Sequence, residues 1–269
     1  MSSTELASGK LVLDRPAEAV ARLAIRNPGK RNALDHEILD GIATVMEELD
    51  DGIETRCVVI TGSEGMFSAG YDIGDIPDEV FAEEAERLVA HPFSRAIDGV
   101  EAFPFPTLAA ISGHALGGGL ELALACDLRI AARGVKLGMP PAKLGLIYSH
   151  TGLQKFIDSV GPARTRELFF TGRNVDADRA EQIGLVHELS DKDEIDEAAV
   201  AMAAEIASHA PVSLRGNKAI IGKLVAFDRL SDAEEREVIE LRLSSFRTRD
   251  FREGVRAFGE KRKPRWEGR

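Results

Sequence analysis

The sequence predicts an α/β domain with both faces of its sheet covered, extended by a helical C-terminal part. Three observations carry this prediction. The runs 57–61 and 107–111 are apolar at every position but Thr61 and Thr107, which points to burial on both faces of a strand. Such runs alternate with stretches of helical apolar spacing through the middle of the chain, the order of a layered α/β fold. From His150 onward helical spacing dominates.

Taken in order, Lys10 to Asp14 and Val20 to Arg26 read as strands flanking a turn at Arg15-Pro16. Asn27 to Asn32 is a loop by composition. Asp35 is placed to cap a helix from His36 to about Asp50, with Ile38, Ile42, Val45, Met46 and Leu49 on one face. Cys57 to Thr61 is a strand ending at Gly62, and Asp78 to Glu101 has helical spacing. Thr107 to Ile111 is a second buried strand. Gly117 to Ala125 reads as a helix entered through three glycines, and Leu128 to Ala132 as a third strand. Helices are expected over 152–160, 163–170, 177–183, 195–208, 212–226, 232–245 and 251–261. No repeat or low-complexity linker divides the chain, so the expected organisation is a core over residues 1–190 and a helical region over 191–269.

Composition narrows the function. The 269 residues hold 34 Lys and Arg against 45 Asp and Glu, a net charge of -11. That balance repels nucleic acid and anionic membranes, but not a small anion held in one cleft. The longest apolar stretch, Thr107 to Ala125, is interrupted by His114, Glu121 and four glycines, so no membrane span is expected. Cys57 and Cys126 sit in apolar runs and read as buried side chains, with no spacing that suggests a metal or a disulfide framework. Met1 to Lys10 has no apolar core of a signal peptide, which makes the cytoplasm the expected location.

Two glycine-containing turns follow buried strands, where α/β sheets place ligands. One is Phe67-Ser68-Ala69-Gly70-Tyr71-Asp72; the other is Gly113 to Glu121, with Gly117-Gly118-Gly119 at a helix start. Glycines there leave backbone N–H groups approachable and favour an anion, or they simply allow a tight turn. Neither nucleotide-phosphate loop motif is present. His36, His91, His114, His150, His187 and His209 are expected to be structural.

These segments carry a resemblance. Gly29-Lys30-Arg31-Asn32-Ala33-Leu34, Phe67 to Ile73 and Gly117 to Ala123, in that order and spacing, resemble the signatures of the crotonase (enoyl-CoA hydratase/isomerase) superfamily. Ala125 to Ala131, Phe170 to Arg173, Ala180 to Val186 and Phe258 to Pro264 match as well. The resemblance implies a ββα spiral core with a helical C-terminal trimerisation region, in trimers or hexamers. It implies an acyl-coenzyme A thioester substrate and no cofactor beyond the coenzyme A of that substrate. By motif position, the backbone N–H groups of Tyr71 and Gly118 form an oxyanion hole. Arg31, Ala33, Ala69, Asp72 and Ile73 would contact coenzyme A, and Glu121 would be catalytic.

One position departs from that pattern. Family hydratases carry a second glutamate in a Pro-Glu pair ahead of a Leu-Gly; here the stretch reads Met139-Pro140-Pro141-Ala142-Lys143-Leu144-Gly145. Water addition with paired carboxylates loses a partner at Pro141. Met139 to Tyr148, with Phe67 to Gly70, is most similar to the methylmalonyl-CoA decarboxylase branch, which makes Tyr148 a second catalytic candidate. That branch has His where this chain has Tyr71; the position contributes backbone, but its side chain shapes the pocket, so a different substrate choice is expected. Three readings follow. The first is decarboxylation of a malonyl-type thioester, the second an enoyl-CoA hydratase or isomerase, and the third a non-catalytic acyl-CoA-binding protein.

Overall fold

The computed structural model describes residues 3–50, 52–72, 92–141 and 148–226, with scattered positions from 233 to 269. Two sheets stand at its centre. The larger has seven strands: β1 (Thr4–Leu6), β2 (Leu11–Ala17), β3 (Val20–Ile25), β4 (Cys57–Gly62), β6 (Thr107–Ile111), β8 (Leu128–Ala132) and β11 (Glu188–Ser190), in the order β1-β2-β3-β4-β6-β8-β11. β1, β2 and β3 are antiparallel; from β3 to β11 every pairing is parallel. The smaller sheet orders β10 (Val175–Asp176), β9 (Lys136–Gly138), β7 (His114–Leu116) and β5 (Met66–Ser68). Each central strand of the large sheet thus hands the chain to a short strand of the small one: β4 to β5, β6 to β7, β8 to β9. Helices complete the turns, giving the ββα spiral.

The helices follow from sequence. α1 (His36–Leu49) begins where the Asp35 carboxylate accepts from the Ile38 N–H at 2.9 Å, and it buries Ile38, Leu39, Ile42, Val45, Met46 and Leu49. α2 (Ser94–Ala102) lies on α1, with Gly99 against Ala43 and Met46. α3 (Gly118–Ala125) is buried at every position, as expected for a helix inside a layered fold. α4 (His150–Thr171) breaks at Gly161-Pro162, where Gly161 takes φ 73° and ψ 166°, so it is two helices joined across a kink, as expected over 152–160 and 163–170. α5 (Ala177–Gln182), α6 (Ile195–Ala207) and α7 (Pro211–Ala226) follow, and α6 sets Ile195, Ala199, Ala203 and Ala207 on the large sheet. No described helix is long and apolar enough to cross a membrane.

Some expectations need correction. Arg15-Pro16 is no turn: β2 runs on to Ala17 through a register shift, and the chain reverses at Ala19 with φ +56°. β1 pairs only with Leu11 to Leu13, so Pro16 sits on an unpaired edge where its missing N–H costs nothing. The strands of the small sheet, two or three residues each, escape notice because so short a run shows no periodicity. The helix expected over 78–101 is described only from Pro92, and Ile73 and most of the helices expected over 232–245 and 251–261 lie outside the described residues.

The passage between sheets requires glycine. A Cβ on Gly113 would lie 2.0 Å from the Gly65 carbonyl carbon, and one on Gly62 would lie 2.2 Å from the Met66 oxygen. Neither contact can be relieved by a rotamer, because both obstacles are backbone. Gly113→Ala is therefore expected to cost about 3 kcal/mol, the upper range for overpacking. Urea unfolding followed by circular dichroism measures this, and a midpoint equal to wild type would contradict it.

Candidate active site

Three chain segments converge at the ends of the short strands. The 27–34 loop is held by Asn32, fully buried with φ +54°. Its Nδ2 donates to the Ser63 carbonyl at 2.9 Å and the Met66 carbonyl at 2.7 Å, while its Oδ1 accepts from the Asn27 N–H at 2.8 Å. The next residues pair with the turn after β5. Ala69 N–H donates to the Arg31 carbonyl at 3.1 Å, Leu34 N–H to Gly70 at 2.8 Å, and Asp72 N–H to Leu34 at 3.0 Å. The Lys30 ammonium closes this edge on the Asp72 carboxylate at 2.8 Å. Arg31 is exposed at φ +54°, and Ala33 is buried beneath it.

The glycine run sits directly against that turn. Gly117 adopts φ 53° and ψ -127°, a conformation open essentially to glycine. Its N–H donates to the Gly138 carbonyl at 2.9 Å, and its own carbonyl accepts from Leu120 and Glu121. A Cβ on Gly70, itself at φ +97°, would lie 3.2 Å from the Gly118 nitrogen. A Cβ on Gly118 would lie 2.7 Å from Cε1 of Tyr71. The structure therefore brings Tyr71 and Gly118, the two residues expected to supply N–H donors, into contact.

Beside them lies a buried polar chain. Glu121, in the first turn of α3, is 3% exposed. The Tyr148 hydroxyl donates to its Oε2, and the Tyr71 hydroxyl lies 3.4 Å from that of Tyr148. The Tyr71 ring stands edge-on to Phe93, centroids 4.7 Å apart, and Tyr148 packs on Phe169 at 5.4 Å. The start of α4 closes the group. Ser149 caps it by accepting from Gly152 N–H at 3.1 Å, and a Cβ on Gly152 would fall 2.6 Å from Tyr148 Cε1 and 2.9 Å from Glu121 Oε1.

Burial pushes the Glu121 carboxyl above the ordinary carboxylate range, against the opposing hydrogen bond from Tyr148 and the charge of Lys155. Lys155 is itself paired with Glu101 at 2.6 Å. Both tyrosines are raised by burial first; Glu121 comes next for Tyr71, and for Tyr148 the neighbouring Tyr71 and then Glu121. Proton loss from these groups is thus shifted to higher pH, which suits proton exchange with a carbon placed beside them.

The sequence named Gly118 for its backbone, and Tyr71 for its backbone and for a side chain that shapes the pocket. The contacts of the Tyr71 phenol, Phe93, Asn32 as a latch and Gly152 as a point of close approach emerge only from packing. Asn32 lies within a motif that marks it; Phe93 and Gly152 carry no local signal. Pro141, at the position where a second carboxylate was looked for, is buried. His114 and His187 are structural: their Nδ1 atoms accept from the Lys136 N–H at 3.0 Å and the Arg129 N–H at 3.1 Å.

A ββα spiral whose glycine turns meet beside one buried carboxyl defines a protein of the crotonase type. The chain belongs to the enoyl-CoA hydratase/isomerase family, whose model matches residues 15–269. It is 36% identical over 252 residues to a Bacillus subtilis protein described as "Probable enoyl-CoA hydratase", covering 93% of this chain and 95% of that one. A solved family member from Hyphomonas neptunium superposes with a TM-score of 0.88 at 35% identity, covering 97% and 98% of the two chains. An enoyl-CoA hydratase from Bacillus anthracis superposes at 0.87 with 29% identity, covering 97% and 100%.

The buried carboxyl has a stability consequence. Because its folded pKa is raised, the folded state takes up the proton more readily than the unfolded chain. Its penalty is absent below the ordinary carboxylate range, grows as pH rises through that range, and is complete above the raised folded value. Glu121→Gln is expected to raise Tm near pH 8 by roughly 2–4 °C, on the order of 1 kcal/mol, with the gain fading toward pH 4. Calorimetry at both pH values tests the sign; a variant less stable at the higher pH would show the carboxylate to be net stabilising.

Proposed function

We propose that this chain acts on acyl-coenzyme A thioesters by moving a proton at the carbon beside the thioester carbonyl, as enoyl-CoA hydratases and isomerases do. The observation that carries the reading is the contact of Tyr71 with Gly118 beside the Glu121–Tyr148 hydrogen bond. The Tyr71 and Gly118 N–H groups hold the thioester oxygen, where negative charge develops as the enolate forms, and such donors in a water-poor site are worth several kcal/mol. Glu121 exchanges the proton with carbon, and Tyr148 fixes its orientation. Exposed Arg31 meets a phosphate of coenzyme A, while Ala33, Ala69 and Asp72 line the nucleotide; Ile73 belongs to the same segment. The names of the relatives support this reading over the decarboxylase one. Assembly into trimers, or hexamers built from them, is part of the same proposal, and sedimentation of a stable monomer at micromolar concentration would remove it.

One observation favours a second reading. Pro141 puts no carboxylate at the site, which suits a substrate that carries its own. Decarboxylation of a malonyl-type thioester breaks the bond from the α-carbon to the carboxylate and leaves its electron pair in the enolate. A proton from Glu121 or Tyr148 then completes the product. Purified protein assayed with crotonyl-CoA and methylmalonyl-CoA separates the two. Loss of the enoyl absorbance without CO2 release supports hydration, and the converse supports decarboxylation. Under either reading Gly118→Val abolishes turnover and Glu121→Gln lowers kcat at least about 100-fold. Wild-type rates in folded variants would remove both residues from the mechanism.

A further inference from the structure

We infer that the Tyr71 side chain is a specificity-determining wall which restricts the acyl group to short chains. The inference rests on the thioester reading and goes beyond it, since neither oxyanion donation by Tyr71 nor proton transfer by Glu121 requires any particular side chain at position 71.

Its basis is how firmly and how close to the reacting atoms the ring is held. Three consecutive ring atoms of Tyr71, Cδ1, Cε1 and Cζ, would stand 3.0, 2.7 and 3.0 Å from a Cβ on Gly118, so the ring lies against that glycine's α-carbon. The opposite constraint comes from Phe93, edge-on at 4.7 Å and 88°, and the hydroxyl end stops 3.4 Å from Tyr148. The backbone is fixed as well, because Gly70 and Asp72 on either side both bond to Leu34. Swinging the ring away would give up its contacts with Gly118, Phe93 and Tyr148 together.

A thioester oxygen bound to the Tyr71 and Gly118 N–H groups lies about 3 Å from each nitrogen. Its α-carbon must also reach Glu121, whose carboxylate is bonded to Tyr148. The space leading on from that carbon is therefore faced by the Tyr71 ring and the Tyr148 ring. An acyl group of a few carbons fits beside them; a longer one meets aromatic carbon. An open channel would do the reverse, since each methylene buried tightens binding roughly fourfold.

Isothermal titration of the full chain with coenzyme A, butyryl-CoA and octanoyl-CoA tests this without needing turnover. Wild type is expected to bind octanoyl-CoA no more tightly than butyryl-CoA. Tyr71→Ala is expected to gain about tenfold or more for octanoyl-CoA over butyryl-CoA as methylenes enter the vacated space. Tyr71→Phe, which keeps the wall and drops the hydroxyl, should retain the wild-type order, and coenzyme A itself should bind all three proteins alike. Tighter octanoyl-CoA binding by wild type, or an unchanged ratio in Tyr71→Ala that still binds coenzyme A, overturns the wall alone. A wild-type protein that binds none of the three ligands overturns the thioester reading and the wall together.

Discussion

The site depends on two turns of backbone touching with no side chain between them. Gly70 approaches the Gly118 nitrogen so closely that a methyl group would already be in tight contact, and Gly117 holds a conformation that other residues avoid. Everything else is arranged around that approach. The zipper from Arg31 to Leu34 steadies one turn, and the Gly138 carbonyl anchors the other. The glycines at the sheet corners set the distance, because they let β5 and β7 lie close beneath β4 and β6. Main-chain donors placed this way need no reorganisation when charge arrives, which is the condition for strong electrostatic stabilisation.

Against that rigid frame, the polar chain of Glu121, Tyr148 and Tyr71 is held at a cost. A carboxyl nearly out of water carries a desolvation penalty that the Tyr148 and Tyr71 hydroxyls and the Lys155 charge offset only in part. A core chosen for stability alone would hold an apolar residue at 121. The same burial keeps a proton available over a pH range in which an exposed carboxyl has lost it. Lys155 tempers the effect, yet its own bond to Glu101 diverts part of its charge.

Much of this was legible in the sequence, and the reason differs from element to element. β4 and β6 could be read because burial on both faces leaves an almost wholly apolar run, β8 because its apolar run is broken only by Arg129, and α1 because Asp35 and a regular apolar stripe announce it. Tyr71, Gly118, Glu121 and Tyr148 were located through motif resemblance, and the structure groups them together. The small sheet was invisible to periodicity because its strands are too short. The bulged end of β2 looked like a turn because proline marks turns and unpaired strand edges alike. Phe93 and Gly152 could not have been found: each matters through contact with residues far along the chain, and nothing in their immediate neighbours encodes it.

Gly152 carries a consequence for how such a site changes over generations. With tyrosine at 148, the space above the α-carbon of residue 152 is already filled by the phenol ring and the Glu121 carboxylate. A lineage cannot acquire a side chain at 152 while the tyrosine stays, and loss of the tyrosine alone still leaves the Glu121 carboxylate and the Ser149 hydroxyl 2.9 Å from that position. The route away from this arrangement is therefore ordered, with residue 148 changing first and residue 152 following only as the Glu121 and Ser149 side chains give way. The route toward it runs the other way and demands that glycine be in place before the tyrosine arrives.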